Sequence, residues 1–316
     1  MKVVVTGGKG FIGSHLVNFL KDKGFFVRNV DIKKDSILKT EEDEFLQLDL
    51  RDYNNCKKAV KDMDGVFNLS ANMGGIGYIS EYNAPIISDN VKINVNMLDA
   101  CINSNVPKIF FSSSFCVYPR FKQKYRFSPK LKEEDVIPAY PDSAYGWEKL
   151  FSEIMYRSYH VDYGIQIRIA RFENIYGTYC DYSEERGKAP ASICRKVALA
   201  EDGTSIIIWG DGKQTRSFLH INDCLDGILR IFNSNYNFPF NLTSSERISI
   251  NNLAKMIIKI SGKKLKIVHD LSKPQGVRGR CGDYSLAKKL LGWEPKVKLE
   301  EGMKELYEWV KSQVIK

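Results

Sequence analysis

The sequence has no long apolar run, and its cysteines and histidines form no pattern typical of disulfide frameworks or metal sites. Its longest apolar runs, such as residues 206–209, are far shorter than the roughly 20 residues of a membrane span. Only three apolar residues precede the first polar residues and glycines, which is too short for a signal-peptide core. The seven cysteines contain no C-x-x-C pair, and the four histidines are scattered. We therefore expect a cytoplasmic protein without a membrane partner or a bound metal.

The composition is that of an ordinary globular protein. The chain has 316 residues, of which 43% are hydrophobic and 27% charged, so disorder and fibrous structure are excluded. Its length predicts about two domains. Lys and Arg (47) exceed Asp and Glu (38) by 9, but no dense basic block or RNA-binding motif is present. We expect no nucleic-acid partner, whereas a small polyanionic ligand would suit a basic cleft.

Short β-branched runs alternate with helical stretches in the first half of the chain. Strands are predicted at 3–6, 25–30, 45–48, 65–69, 108–112 and 165–170, with helices at 11–23, about 84–104 and about 143–163. This alternation predicts an α/β fold of Rossmann type, in which helices cover both faces of a doubly wound parallel sheet.

The alternation ends after Arg171. A polar, tyrosine-rich loop at 176–186 is followed by a helix from Pro190 and then by short strands and helices. We predict a first domain over 1–173 and a smaller C-terminal α/β substrate domain over 174–316. Residues 218–241 are expected to return to the first domain.

A glycine triplet follows the first predicted strand and opens the first helix. Gly7 would form the tight turn, Gly10 would let a pyrophosphate approach, and Gly13 would let helix and strand pack closely. The positive end of the helix would face the phosphates. Asp31 ends the second strand, where a carboxylate binds ribose hydroxyls and repels a 2′-phosphate. The pattern therefore predicts an NAD site rather than an NADP site, with Asp49 beside the adenine.

Tyr145 and Lys149 form a Y-x-x-x-K pair that lies on one face of a predicted helix. The ammonium is expected to lower the phenol pKa, so that the tyrosine can move protons near neutrality. Position favours this pair, because it lies downstream of a serine-rich strand end. The same spacing occurs at four other places: Tyr53/Lys57, Tyr118/Lys122, Tyr284/Lys288 and Tyr307/Lys311.

The serine-rich strand end reads SSSFCVYP over residues 112–119. Ligands of open parallel sheets bind beyond the carboxyl ends of the strands, so Ser114 is predicted to bind a substrate hydroxyl. Cys116 lies at the same end, where a thiol beside a cation can ionise and act as a base. The other six cysteines are interpreted as buried core residues.

The glycine spacing G-x-x-G-x-x-G resembles that of the short-chain dehydrogenases/reductases, particularly the extended members that act on nucleotide sugars. In that superfamily the 4,6-dehydratases carry an Asp-Glu pair where this chain has Phe115 and Cys116, and the UDP-sugar 4-epimerases have a small residue. In having a cysteine at this position, the chain resembles the GDP-fucose synthases and the GDP-mannose 3,5-epimerases. Five segments favour the GDP-mannose 3,5-epimerase family: MGGIGYI (73–79), KAPA (188–191), CRK (194–196), WGDGKQTRSF (209–218) and GVRGR (276–280).

This resemblance implies an NAD-dependent epimerisation of a GDP-sugar by a homodimer that pairs through the helices near 84–104 and 143–163. Tyr145 and Lys149 would be the redox pair, and Cys116 and Lys188 the epimerising base and acid. Further cofactor contacts would come from Phe11, Ile12, Leu50, Leu69 and Ala71. Substrate contacts would come from Gly74, Gly75, Ser114, Phe115, Cys116, Asn174, Lys188, Ala189, Lys196, Gln214, Arg216 and Arg278. Of these, Arg216 and Arg278 are interpreted as pyrophosphate clamps, because guanidinium groups bind phosphate in bidentate fashion.

One departure and two alternatives stay open. The family usually has glutamate before its catalytic lysine, and this chain has Gly187, which bears on how the sugar is positioned. A reductase of 4-keto-6-deoxy GDP-sugars, similar to GDP-fucose synthase, would use the same side chains but consume NADPH, and Asp31 argues against it. A non-catalytic NAD-binding regulator is the second alternative, although the tyrosine, lysine and cysteine are all present.

Overall fold

The structure of the protein is a computed structural model that describes residues 1–184, 187–273 and 275–315. Its helices are α1 (Phe11–Asp22), α2 (Tyr53–Val60), α3 (Ile76–Glu81), α4 (Asn83–Asn103), α5 (Ala144–Tyr163), α6 (Ala189–Leu199), α7 (Ile221–Asn233), α8 (Ile250–Ser261), α9 (Ser285–Leu291) and α10 (Leu299–Val314). Its strands are β1 (Lys2–Thr6), β2 (Phe26–Asp31), β3 (Glu44–Gln47), β4 (Gly65–Asn68), β5 (Lys108–Ser114), β6 (Gln166–Phe172), β7 (Ile175–Tyr176), β8 (Ser205–Trp209), β9 (Thr215–Arg216), β10 (Leu219–His220), β11 (Pro239–Leu242), β12 (Ile248–Ser249) and β13 (Lys266–Asp270).

Seven of the described strands form one parallel sheet in the order β11-β6-β5-β4-β1-β2-β3. The valines of β1 at positions 3–5 are completely buried, as expected for a central parallel strand with helices on both faces. The strand order reverses beside β1, where β2 and β3 extend one way and β4 to β6 the other. The predicted doubly wound α/β fold is confirmed.

Two apolar cores lie on opposite faces of this sheet. On one face, α1 and α7 contribute residues at helical spacing, including Leu16 and Leu20 from α1 and Leu225 and Ile228 from α7. On the other face, α2, α4 and α5 cover the sheet. The segment at 218–241 supplies α7 and most of the edge strand β11, which pairs with β6.

A third core lies in the C-terminal half, where α6, α8 and α10 pack together with β8 and the parallel strand β13. The predicted helix from Pro190 is confirmed as α6. The predicted loop at 176–186 begins inside β7, and its residues 185 and 186 lie outside the described ranges. Across the described residues, no helix is both long and apolar enough to cross a membrane.

The long elements match the sequence predictions closely, but two short helices were missed. α2 and α3 have 8 and 6 residues, and only three residues of α2 are buried, so their periodicity is weak. By contrast, α5 has clear end signals. The Ser143 side chain caps its start by accepting from Gly146 N, and Gly164 ends it in the left-handed conformation.

Candidate active site

The glycine-rich turn between β1 and α1 has no room for larger residues. Gly7 has a φ of +67°, and its N–H donates to the carbonyl of Val30. A Cβ on Gly13 would lie 2.0 Å from the Gly7 carbonyl oxygen. Gly10 precedes α1, so the N–H groups of Phe11 and Ile12 lie in the first turn of the helix, where an anion is stabilised. This turn has the shape that a dinucleotide pyrophosphate needs.

Asp31 is held at the end of β2 beside this turn. One carboxylate oxygen accepts from the N–H of Lys9 and the other from the N–H of Lys33, both at 2.9 Å. The Lys9 ammonium is bound by Thr40 and Glu42. The cation of Lys9 is therefore engaged within the protein, and the Asp31 carboxylate lies at the end of β2 beside the glycine turn.

The other predicted cofactor residues occupy different environments. Asp49 forms an ion pair with Arg51 at 2.7 Å, and that guanidinium lowers the pKa of Asp49. Leu50 is buried in the core beneath α2. Leu69 follows β4, where its N–H donates to the hydroxyl of Thr6. Ala71 is half-buried just beyond it.

The predicted redox pair lies at the start of α5. Lys149 is completely buried and donates to the carbonyl of Ser112 at 3.1 Å, with its ammonium 5.7 Å from the centre of the Tyr145 ring. Burial lowers the pKa of Lys149, and Glu148 opposes this effect. Burial, Cys116 and Glu148 raise the pKa of Tyr145 well above 10. In the protein chain alone the net pKa of Tyr145 is raised, because dehydration of the phenolate, Cys116 and Glu148 together outweigh the hydrogen bond with Ser114. That Lys149 lowers this pKa stays a prediction.

Ser114 and Cys116 lie where β5 ends and a short 3₁₀ turn begins. The Ser114 hydroxyl accepts from the N–H of Cys116 at 3.2 Å and also interacts with Tyr145, an interaction that lowers the phenol pKa. α5 packs directly on this turn, since a Cβ on Gly146 would lie 2.3 Å from the Cys116 carbonyl oxygen. The close packing brings the thiol and the phenol together. The Phe115 side chain is instead buried in a small apolar cluster, which leaves only its backbone for a ligand.

Arg280 contacts Cys116 and was not among the predicted site residues. Its guanidinium lies 3.4 Å from the Cys116 sulfur and also donates to Gln123 and Asp142. Burial opposes its charge, but Cys116, Asp142 and a further carboxylate raise the pKa of Arg280. Six of the seven cysteines are buried, and Cys116 alone is partly exposed. A partly exposed thiol beside a guanidinium is the environment in which a thiolate forms.

Lys188 stands immediately before α6, whose first turn contains Pro190. The residue is exposed to solvent, yet the surrounding protein dehydrates its ammonium enough to lower the pKa of Lys188. An exposed side chain with such a shift lines a cleft rather than an open surface. A negative charge on Cys116 opposes the shift, which shows that the two side chains lie within electrostatic range of each other. Ala189, the first residue of α6, is exposed.

The predicted substrate residues do not all have free polar groups. Asn174 adopts a φ of +39° and donates to the carbonyl of Ser217. Burial and Arg280 lower the pKa of Arg216 to about 10, so its guanidinium shares the environment of the thiol. Arg278, in contrast, forms a bidentate pair with Asp211 at 2.9 and 3.1 Å. The guanidinium groups nearest Cys116 are therefore those of Arg280 and Arg216.

Of the remaining predicted substrate residues, Lys196 lies beside Trp209. The Lys196 ammonium donates to the carbonyl of Ile207 and lies 5.9 Å from the centre of the Trp209 ring. Gly77 of α3 lies on the same ring. Gly74 and Gly75 precede α3, and the buried Gln214 has a side-chain oxygen without a hydrogen-bond partner among the described residues. In the described part of the chain, no cluster of three His, Cys, Asp or Glu side chains could hold a metal ion.

Comparison with known proteins gives consistent results. GDP-mannose 3,5-epimerase of Arabidopsis thaliana is 43% identical over 100% of this chain and 84% of its own length. A probable GDP-L-fucose synthase of Oryza sativa subsp. japonica is 28% identical, with 99% and 93% covered. The resemblance to GDP-mannose 3,5-epimerases is thus confirmed.

Solved structures of nucleotide-sugar epimerases share the fold. UDP-glucose 4-epimerase of Thermotoga maritima with UDP-glucose superposes with a TM-score of 0.87, at 28% identity over 99% of both chains. UDP-glucuronic acid 4-epimerase of Bacillus cereus, in complex with UDP-glucuronic acid and NAD, gives 0.85 at 27% identity, with 99% and 100% covered. The sequence model of the NAD dependent epimerase/dehydratase family matches residues 3–242. The chain is an enzyme of the epimerase type and belongs to the NAD dependent epimerase/dehydratase family.

Proposed function

We propose that the protein epimerises GDP-D-mannose at C3 and C5, giving GDP-L-galactose, and GDP-L-gulose when C5 alone inverts. The observation that carries this proposal is the proximity of Cys116 to both Tyr145 and Lys188. A simple 4-epimerase needs one proton-transferring tyrosine. A 3,5-epimerase needs a second acid and base in addition, and this cleft contains the two side chains required.

The residues of the glycine turn, with Asp31, fit an NAD molecule. Gly7, Gly10 and Gly13 would cradle its pyrophosphate at the start of α1, and Asp31 would bind the adenosine ribose. Tyr145 and Lys149 would flank its nicotinamide end. When bound, NAD supplies an acceptor for the C4 hydride and returns the same hydride at the end of the cycle, so the cofactor is not consumed.

Proton transfers follow from the placement of the side chains. Tyr145, supported by Ser114 and Lys149, takes the proton of the C4 hydroxyl, and the C4 ketone that results acidifies the hydrogens at C3 and C5. The Cys116 thiolate then takes the proton from one of these carbons, and the electron pair of that C–H bond moves into the enolate. Lys188 gives a proton to the same carbon from the opposite face of the ring, which inverts it.

The raised pKa of Tyr145 has a role in this scheme. A buried phenol that binds its proton tightly is a poor base until a positive charge faces it. Lys149 would provide such a charge, and the oxidised nicotinamide of NAD would add to it when bound. Tyr145 would therefore keep its own proton in the empty enzyme.

We also propose that residues 174–316, apart from 218–241, form the substrate domain. Within it, the sugar and pyrophosphate would be faced by Asn174, Gln214 and Arg216. Lys196 would lie near the nucleobase. The pairing of Arg278 with Asp211 makes it a residue that shapes the cleft unless the substrate displaces the carboxylate. Homodimer formation and a cytoplasmic location belong to this proposal as well.

The reductase alternative uses the same tyrosine, lysine and cysteine but consumes NADPH. Two observations favour the epimerase: Asp31 stands at the end of β2, and the fucose synthase relatives are 28% identical compared with 42–43% for the epimerases. A non-catalytic NAD-binding protein would not need a partly exposed thiol in contact with a guanidinium.

Incubation of the purified protein with NAD and GDP-mannose in deuterated water tests the proposal. We expect deuterium at C3 and C5, two new GDP-sugars by NMR, and no net formation of NADH. Tyr145→Phe serves as a control that should abolish exchange at both carbons. Oxidation of NADPH by a GDP-4-keto-6-deoxy sugar, without exchange into GDP-mannose, would establish the reductase instead. No turnover with either sugar, despite tight NAD binding, would establish the regulator.

A further inference from the structure

Glu173 is a buried carboxylate to which the proposed chemistry assigns no role. Its side chain is 1% exposed and lies between β6 and Asn174. One oxygen accepts three hydrogen bonds, from Ser217 Oγ at 2.6 Å, from Thr243 Oγ1, and from the N–H of Gly282 at 2.9 Å. The other oxygen is buried without a partner among the described residues. Burial of a carboxylate costs free energy unless hydrogen bonds or opposite charges replace its lost hydration.

The three donors come from three separate segments that surround the cleft. Ser217 follows Arg216, and Thr243 follows the edge strand β11. Gly282 lies two residues after Arg280. The carboxylate therefore joins these segments at one point, directly behind the Cys116 turn.

Gly282 is packed closely against its neighbours and has no room for a side chain. A Cβ on Gly282 would lie 2.4 Å from the Phe115 ring and 2.6 Å from the Thr243 methyl. Phe115 immediately precedes Cys116. The hydrogen bond from Gly282 to Glu173 thus sets the distance between the chain at 280–282 and the Cys116 turn.

Arg280 extends from this chain to the thiol, which it contacts at 3.4 Å. A second guanidinium, that of Arg216, lies close enough to Arg280 for the two positive charges to repel each other. Two carboxylates, Glu173 and Asp142, offset that repulsion. Gln123 and Asp142 hold the guanidinium directly, so what Glu173 adds is the position of the backbone from which Arg280 extends.

We propose that Glu173 is a positioning residue, which holds residues 280–282 against the Cys116 turn and so keeps the Arg280 guanidinium on the thiol. This inference rests on the proposed function, in which the Cys116 thiolate is the base. Glu173 itself touches neither the thiol nor, in this scheme, the substrate. Its effect passes through Arg280.

A purely electrostatic role for Glu173 predicts the opposite result for the thiol. Removal of a nearby negative charge lowers the pKa of a thiol, whereas displacement of Arg280 raises it. The other groups around Cys116 are Arg216, Lys149 and Lys188, which favour the thiolate, and Tyr145. None of them hydrogen-bonds to Glu173, so they are common to both explanations.

The pH dependence of Cys116 alkylation by iodoacetamide distinguishes these roles, with the enzyme saturated with NAD. Cys116→Ala provides the background from the six buried cysteines. We expect Glu173→Ala and Arg280→Ala each to raise the alkylation midpoint by about one to two pH units, the effect of losing one charge-assisted hydrogen bond. The double variant should show no further shift. Ser217→Ala, which removes another donor of Glu173, is the matched control and should leave the midpoint unchanged.

The proposal is overturned if Glu173→Ala lowers the midpoint or leaves it unchanged, or if the shifts of the two variants add. Should Glu173→Ala fail to fold, Glu173→Gln decides, because it keeps an oxygen acceptor for Gly282 and loses the charge. We expect Glu173→Gln to keep kcat within about tenfold of the unmodified enzyme and its midpoint no higher. A kcat loss as large as that of Arg280→Ala, with an unmoved midpoint, would show that the charge matters rather than the position.

Because alkylation does not depend on turnover, this test is separate from that of the proposed function. If Cys116→Ala still epimerised GDP-mannose, the assignment of the base would fail. The midpoints would still show whether Glu173 positions Arg280.

Discussion

The thiol of Cys116 is the single side chain on which the proposed chemistry depends most. It is the one partly exposed cysteine, and the Arg280 guanidinium lies 3.4 Å from its sulfur. We predict that Cys116→Ala loses inversion and deuterium exchange at C3 and C5 by about a hundredfold or more, the usual contribution of a general base. NAD binding, measured by calorimetry, should not change. Exchange at near the original rate would make Cys116 a structural residue.

The pKa of Lys188 is lowered from 10.5, because the surrounding protein dehydrates its ammonium. As the acid, it must carry its proton, so activity should fall as the pH rises through that lowered pKa. We predict that Lys188→Ala abolishes epimerisation while NAD stays bound. Lys188→Arg should retain a trace of activity whose alkaline limb lies at higher pH, since arginine keeps its proton. The measurement is kcat against pH, and an unshifted limb would mean that another group is the acid.

Among the local elements, the segment before α6 limits what can replace Gly187. A Cβ on Gly187 would lie 2.4 Å from the Ser183 carbonyl oxygen, so the glutamate of the family cannot be introduced without moving the backbone. We predict that Gly187→Glu displaces this segment and lowers kcat for both products. Gly77→Ala, whose Cβ would have ordinary contacts with Trp209, is the matched control. A variant that changes only the ratio of the two products by NMR would show that the loop adapts.

We predict that the turn from β1 to α1 and the end of β2 together set the preference for NAD over NADP. Two backbone N–H groups donate to the Asp31 carboxylate, so its negative charge is held in one position. We predict that the unmodified protein binds NAD more tightly than NADP, because Asp31 repels a 2′-phosphate. Asp31→Ala should narrow the difference in Kd, measured by calorimetry. Equal or tighter NADP binding by the unmodified protein would favour the reductase.

For the molecule as a whole, α5 carries an exposed apolar stripe. Trp147, Phe151 and Ile154 are 47%, 52% and 56% exposed and lie on one face of the helix. Such a stripe is typical of an interface between subunits. We predict a homodimer by light scattering and a monomer for Phe151→Glu. Leu271→Glu, at a site 70% exposed outside this stripe, should stay dimeric. A monomeric unmodified protein would contradict the prediction.

The parallel sheet, the glycine turn and the placing of Tyr145 and Lys149 on one helix could all be predicted from the sequence. These features depend on local patterns, in which one residue constrains neighbours a few positions away: the buried run of β1, the fixed spacing of Gly7, Gly10 and Gly13, and one helical turn between Tyr145 and Lys149. The resemblance to the epimerases followed from equally local segments. Even the ends of α5 could be predicted within a residue.

Which polar groups come into contact depends on the fold and could not be predicted from the sequence. Arg280 contacts a thiol 164 positions away, and Arg278, two residues earlier, pairs with Asp211 instead. The sequence does not distinguish these two arginines, because spacing along the chain gives no information about contacts between distant segments. The pKa of Tyr145 could not be predicted either, because the Y-x-x-x-K spacing indicates a neighbouring charge but not the depth of burial. The dehydration of a group depends on every segment that covers it, and those segments come together only in the folded chain.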